Sequence, residues 1–207
     1  MRRLSILAAV CLFAGGAASA TSRELVLHAG LTSATVHQDD LYSDAREGLA
    51  LGAGARVPLG DDFSLQPEAW YLRKGFEGGT LWESIDLDGR RHVLSFPVLV
   101  SYWLTAERLD SRVFAGLAAD ILLKAEIREL GAESWADVTD HDETLSWSLV
   151  VGGGARLGRV DLEVRYQHGF TRLTRFAYPE FDDLISQMQE RASAFDRTWI
   201  LTAGWWF

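Results

Sequence analysis

Cysteine is nearly missing from this chain: the single residue, Cys11, lies in the first twenty positions, MRRLSILAAVCLFAGGAASA. That stretch has Arg2 and Arg3, a short apolar run and Ala18-Ser19-Ala20, which is the anatomy of a cleaved secretory signal, so residues 1-20 are expected to leave and residues 21-207 to form one domain. The mature fold then has no disulfide and no thiol chemistry. Positive charge is also scarce. Removing Arg2 and Arg3 leaves 18 Lys and Arg against 29 Asp and Glu, a net charge of 18 minus 29, or −11. Such a surface argues against nucleic acid as a partner. The third absence is an apolar run of about 20 residues, the length a spanning helix needs. If the mature chain resides in a membrane, it crosses as strands.

What is there is alternation. Eight segments place apolar residues at every second position, the period of a strand: about Glu24 to Val36, Leu49 to Leu59, Phe63 to Lys74, Leu94 to Tyr102, Arg112 to Lys124, Leu145 to Arg156, Val160 to Phe170, and Thr198 to Phe207. The connections alternate too. Gly60 to Asp62, Thr105 to Asp110 and Gly158-Arg159 are short, whereas His37 to Gly48, Phe76 to Arg90, Ala125 to Glu143 and Arg172 to Phe195 are long. An even strand count with short turns on one side and long loops on the other predicts an all-β fold: an eight-stranded antiparallel up-and-down transmembrane β-barrel with short periplasmic turns and long extracellular loops. Both termini are then periplasmic.

A soluble barrel also alternates, and the polar face separates the two. It carries Arg56, Glu68, Arg112, Asp120, Arg156, Asp161, Glu163 and Arg165, interleaved with glycines at 52, 54, 116, 152, 154 and 204, and Lys74 and Lys124 share its parity. Glycines scattered over a wet surface would serve nothing, whereas inside a narrow barrel they make room for long charged neighbours. Folding the hairpin at Gly158-Arg159 sets Arg156 opposite Asp161, Gly154 opposite Glu163 and Gly152 opposite Arg165. The apolar face is therefore expected to meet lipid, with aromatic girdles at Phe63, Tyr102, Trp205 and Phe207 on the periplasmic side and Tyr71, Trp147, Phe170 and Trp199 on the outside.

The closing strand, Trp199, Leu201, Ala203, Trp205 and Phe207, resembles the signal by which the outer-membrane assembly machinery recognises its clients. The segments "FSLQPEAWYLRKG", "HVLSFPVLVSYWL", "RVFAGLAADILLK", "VVGGGARLG" and "VDLEVRYQHGFTRL" are similar to the PorT-type outer membrane beta-barrel family. That resemblance implies an eight-stranded barrel in the bacterial outer membrane. It implies no particular activity.

An interior of eight strands is just wide enough for side chains to fill, so the inward charges are expected to pair into a salt-bridged plug. A narrow pore for small solutes is the alternative, and a lipid-acting enzyme the next, with His28, His37, His92, His141 and His168 as candidate bases but no nucleophile motif beside them. Neither Gly-rich stretch completes a phosphate-cradling pattern. Asp137, Asp140, His141, Asp142 and Glu143 have the density of a hard-cation site without a calcium-loop spacing, and a solvated acidic loop is the simpler reading. Phe181, Leu184, Ile185 and Met188 have helical spacing and suit a short cap over the barrel mouth. No cofactor is expected. The expected partners are outer membrane lipid, the assembly machinery during biogenesis and a ligand at the long loops.

Overall fold

The computed structural model describes residues 24–37, 43–81, 85–105, 109–129, 131, 133–139, 144–170 and 195–207. The leading segment 1-20, Asp140, His141, Asp142, Glu143 and the 181–188 segment lie outside the described residues. The strands are β1 (Glu24–His37), β2 (Asp44–Pro58), β3 (Phe63–Leu81), β4 (Ile85–Thr105), β5 (Asp110–Glu129), a two-residue β6 (Ala136–Asp137), β7 (Leu145–Leu157), β8 (Val160–Gly169) and β9 (Phe195–Trp206).

Every pairing is antiparallel, in the order β4-β3-β2-β1-β9-β8-β7-β5, and β4 pairs with β5 to close the wall. Setting aside β6, which only adds to the β5 edge, this is a closed barrel of eight strands. Alternation then sorts the side chains to two sides. Leu27, Leu31, Leu51, Val113, Leu117, Leu162 and Leu201 keep more than half of their surface on the outside. Arg112, Asp161, Glu163 and Arg165 are buried inside. Soluble domains distribute these residue types the other way round.

The connections differ from the expectation at one end. Residues 44–48, 76–81, 85–90 and 125–129, read as loop from the sequence, prolong β2, β3, β4 and β5. Arg90 opposes Glu126 and Asp88 opposes Arg128 in that prolongation. Both faces there are rich in polar groups, so the apolar period disappears while backbone pairing continues. The wall is consequently tall along β3 to β5, at 19, 21 and 20 residues; the described parts of β8 and β9 have 10 and 12.

Two local irregularities matter. A bulge shifts the β4–β5 register between His92 and Val93, so that Val93 opposes Leu122 but His92 opposes Lys124. An extra residue in one strand re-aims the side chains beyond it, and Lys124, whose parity placed it inside, points outward instead. Pro67 and Pro97 lie in the middle of β3 and β4, and the rungs between Pro67–Val98 and Trp70–Ser95 are missing from that seam, because proline offers no N–H to a ladder.

Candidate functional site

The lumen is built in layers, and three of them are ionic. In the central layer Arg112 donates to both Asp161 oxygens at 2.6 and 2.7 Å and to Glu163 at 2.5 Å. Arg165 donates to Glu68 at 2.8 Å and, through Nε, to Glu163 at 2.5 Å, with a second contact from its Nη2. Glu68 also accepts from the Trp70 indole at 2.7 Å, and the Arg165 guanidinium lies 4.4 Å from the Trp70 ring centre. Removing such ions from water costs several kcal/mol each, which multiple charge-assisted hydrogen bonds offset.

Glycines make this layer fit. A Cβ on Gly52 would lie 2.3 Å from the Trp70 ring, and one on Gly154 would lie 3.2 Å from the Arg112 guanidinium carbon. Arg112 stands opposite Gly154, which stands opposite Glu163. The guanidinium therefore crosses β7 where there is no side chain and reaches the carboxylates of β8.

Towards the short-turn end, Arg56 and Arg156 each donate to Glu24 at 3.0 Å, and Arg156 also meets Asp110 at 3.4 Å. Both stack against Trp103, at 4.2 and 5.5 Å, and the Trp103 indole donates to Ser64 at 2.8 Å. Towards the other end, Asp120 accepts from Gln167 at 2.8 Å and Lys74 at 3.3 Å, and Lys74 reaches Asp196 at 3.1 Å. Apolar groups separate these layers: Leu99, Phe114, Ala118 and Val150 on one side of the lumen, Ala50, Leu72 and Ile200 on another.

The eight charges read from the sequence thus fall into three groups. Glu68, Arg112, Asp161, Glu163 and Arg165 meet, Arg56 and Arg156 meet through Glu24, and Asp120 belongs with Lys74. Arg156 stands opposite Asp161 in register, as expected. Its bonds nevertheless go to Glu24 and Asp110, because Arg112 takes both Asp161 oxygens. Lys74, Glu24, Asp110, Asp196, Gln167 and His28 complete the layers and were not in the sequence-derived set. For Lys74, Glu24 and His28 the signal was strand parity, already visible.

His28 is buried 5.2 Å from the Trp70 ring, with Nδ1 4.0 Å from Asp161, and neither ring nitrogen has a hydrogen-bond partner among the described residues. Ligand atoms of His28, Asp161 and Glu163 lie within 4.8 Å of one another. Arg112 and Arg165 already hold the oxygens of both carboxylates, so the trio does not fit a metal. His92 shares a 2.5 Å hydrogen bond with the Tyr71 hydroxyl, and His168 stacks between Tyr166 and Phe195 at 6.3 and 6.2 Å; both face outward. Of the acidic loop, Asp137 accepts from the Thr139 hydroxyl at 2.5 Å and its N–H at 3.0 Å, which hold the Asp137 carboxyl below the usual range.

Of the aromatics expected at the membrane boundaries, Phe63, Trp147, Phe170, Trp199, Trp205 and Phe207 are exposed on the outer surface. Tyr71 and Tyr102 are half-buried there, Tyr102 against Phe63 at 5.1 Å.

A closed antiparallel barrel with leucines outside and ion pairs inside is an integral outer membrane barrel. The sequence matches the outer membrane protein beta-barrel domain over residues 14–175, and the chain belongs to that family. Its residence is the bacterial outer membrane, in contact with lipid. Among solved structures, OprG from Pseudomonas aeruginosa is similar at 11% identity over 91% of this chain and 98% of that one, with a TM-score of 0.51. Ail of Yersinia pestis shares 18% identity over 90% of this chain and 100% of its own, at 0.49. Neisserial surface protein A shares 15% over 90% and 98%, at 0.47. No curated protein sequence matches the chain.

Proposed function

We propose that this barrel is sealed to solutes and serves a structural or ligand-binding role through the connections at its long-loop end. The observation that carries the reading is the central layer: two guanidiniums and three carboxylates, all buried, bridge β3, β5 and β8 across the lumen. A hydrated path would have to part these bonds and then pass the apolar groups around Leu99 and Phe114.

The same proposal includes the finer expectations. Residues 1-20 are a signal cleaved after Ala20, supported by their basic start, apolar run and small residues at the cut. Both termini face the periplasm, which sets the long-loop end outside, and the exposed aromatics form girdles at the two interfaces. Trp199, Leu201, Ala203, Trp205 and Phe207 present one outward stripe to the assembly machinery, supported by the exposure of all five. The PorT-type affiliation rests on the quoted segments.

Ion conductance across a planar bilayer tests the seal. The refolded protein should be silent. Reproducible openings that change in an Arg165→Ala variant would establish a water path and replace this reading with that of a narrow channel.

A further inference from the structure

At the long-loop end, the outer surface of the β3–β5 wall changes character within one rung. Tyr71, Leu94 and Ile121 stand side by side across the three strands, facing lipid. The next rung outward on the same face aligns Arg73, His92 and Lys124. Directly opposed residues of antiparallel strands share a face and lie close enough to act together. Three basic side chains therefore form a row at the edge of the apolar band.

The row depends on the β5 bulge, which turns Lys124 out of the lumen and leaves its side chain 47% exposed. Within the row, His92 is engaged by Tyr71, and Lys124 meets Glu126 at 2.8 Å. Arg73, half-buried, forms no ion pair among the described residues, and its Nε is covered without a hydrogen-bond partner, which leaves the guanidinium tip to reach a ligand. Beyond the row, the cations of the wall are matched: Arg90 with Glu126 at 2.6 Å and Arg128 with Asp88 at 2.8 Å. Among the described residues of this wall, the unmatched positive charge thus lies at the boundary, in a chain whose net charge is −9.

We propose that the Arg73–His92–Lys124 row binds the phosphate of an outer-leaflet lipid, with the acyl chains lying against Tyr71, Leu94 and Ile121. Arg73 supplies the fork that matches two phosphate oxygens. Lys124 shares its remaining donors between Glu126 and the same phosphate. A soluble anion would gain nothing from the apolar rung below, whereas a phosphorylated lipid satisfies both rungs at once. The outer leaflet is specified by the orientation proposed above; the row itself is independent of it.

The test uses the full chain refolded in detergent, where insertion direction plays no part, so a failure here is separate from a failure of the orientation, which surface labelling of intact cells reads. Native mass spectrometry would count bound diphosphoryl lipid A and its fully dephosphorylated counterpart, on samples shown folded by their heat-dependent gel shift. Arg73→Gln should weaken binding of the phosphorylated lipid by about tenfold, the loss of one charged hydrogen-bonding partner. Arg73→Lys should fall between that variant and the native chain, because it keeps the charge but loses the fork. Lys124→Gln, at an exposed position that tolerates change, should weaken it too. Arg159→Gln, an exposed cation at the short-turn end, should bind as the native chain does. Excess inorganic phosphate should displace little, because it lacks the acyl chains.

Equal binding of the dephosphorylated lipid would overturn the proposal. So would an equal loss in Arg159→Gln, which would mean attraction to charge in general, or complete displacement by inorganic phosphate, which would mean a site for a soluble anion.

Discussion

Arg165 and Arg90 each donate to a glutamate, at 2.8 and 2.6 Å, and the two bonds look alike as distances. Their surroundings differ. The Arg165 side chain is 2% exposed in the lumen and shared between Glu68 and Glu163, whereas that of Arg90 is 26% exposed on the outer face of the tall wall. In the lumen water cannot replace a lost partner, so each charge depends on all the others. At the rim Arg90 stays partly in water, and Glu126 keeps a second partner in Lys124. One ion pair is a structural element and the other an adjustment of surface charge.

Substitutions that remove one partner at a time break or sharpen this contrast. Glu163→Ala should have the largest effect, because it deprives both Arg112 and Arg165 of a carboxylate, and should destabilise the barrel by about 3 to 5 kcal/mol in urea unfolding from lipid vesicles. A loss below about 1 kcal/mol would mean that water reaches the central layer, and the seal would go with it. Gly52→Ala should cost about 1 to 3 kcal/mol, since the new methyl displaces the Trp70 ring. That ring holds Glu68 and lies against Arg165, so combining it with Glu68→Gln should give less than the sum of the two losses; strict additivity would disconnect the packing from the ion network. Arg90→Ala should change stability least, by about 0 to 1 kcal/mol, with the difference fading as salt is raised. A salt-independent loss of several kcal/mol would place Arg90 with the lumen residues.

The same contrast explains what the sequence made legible. Where one face meets lipid and the other the lumen, alternation is strict, and strand number, facing and the β7–β8 register all derive from it. Past the membrane edge the contrast between faces fades, and the prolonged ends of β2 to β5 read as loop. Lys124 shows the second limit: a single extra residue reverses parity, and nothing at positions 122 to 124 marks a bulge. The third concerns partners. Opposition in register suggested Arg156 with Asp161, but an arginine is long enough to cross a neighbouring strand wherever a glycine leaves the way clear, as Arg112 does over Gly154. The glycines that signalled a crowded lumen therefore also marked the crossings, without saying which arginine would use them.

The pairing of β1 with β9 has a consequence in time. Val26 faces Trp206 and His37 faces Phe195, so the earliest strand made waits for the latest. Until β9 arrives, β1 and β8 are both open edges with unpaired backbone groups, which lipid does not tolerate and other chains readily join. Contacts so far apart along the chain form slowly. A ribosome cannot hand over a half-built wall that is already stable, and a chain interrupted within β9 would leave an adhesive sheet rather than a smaller barrel. Insertion is committed by its final step.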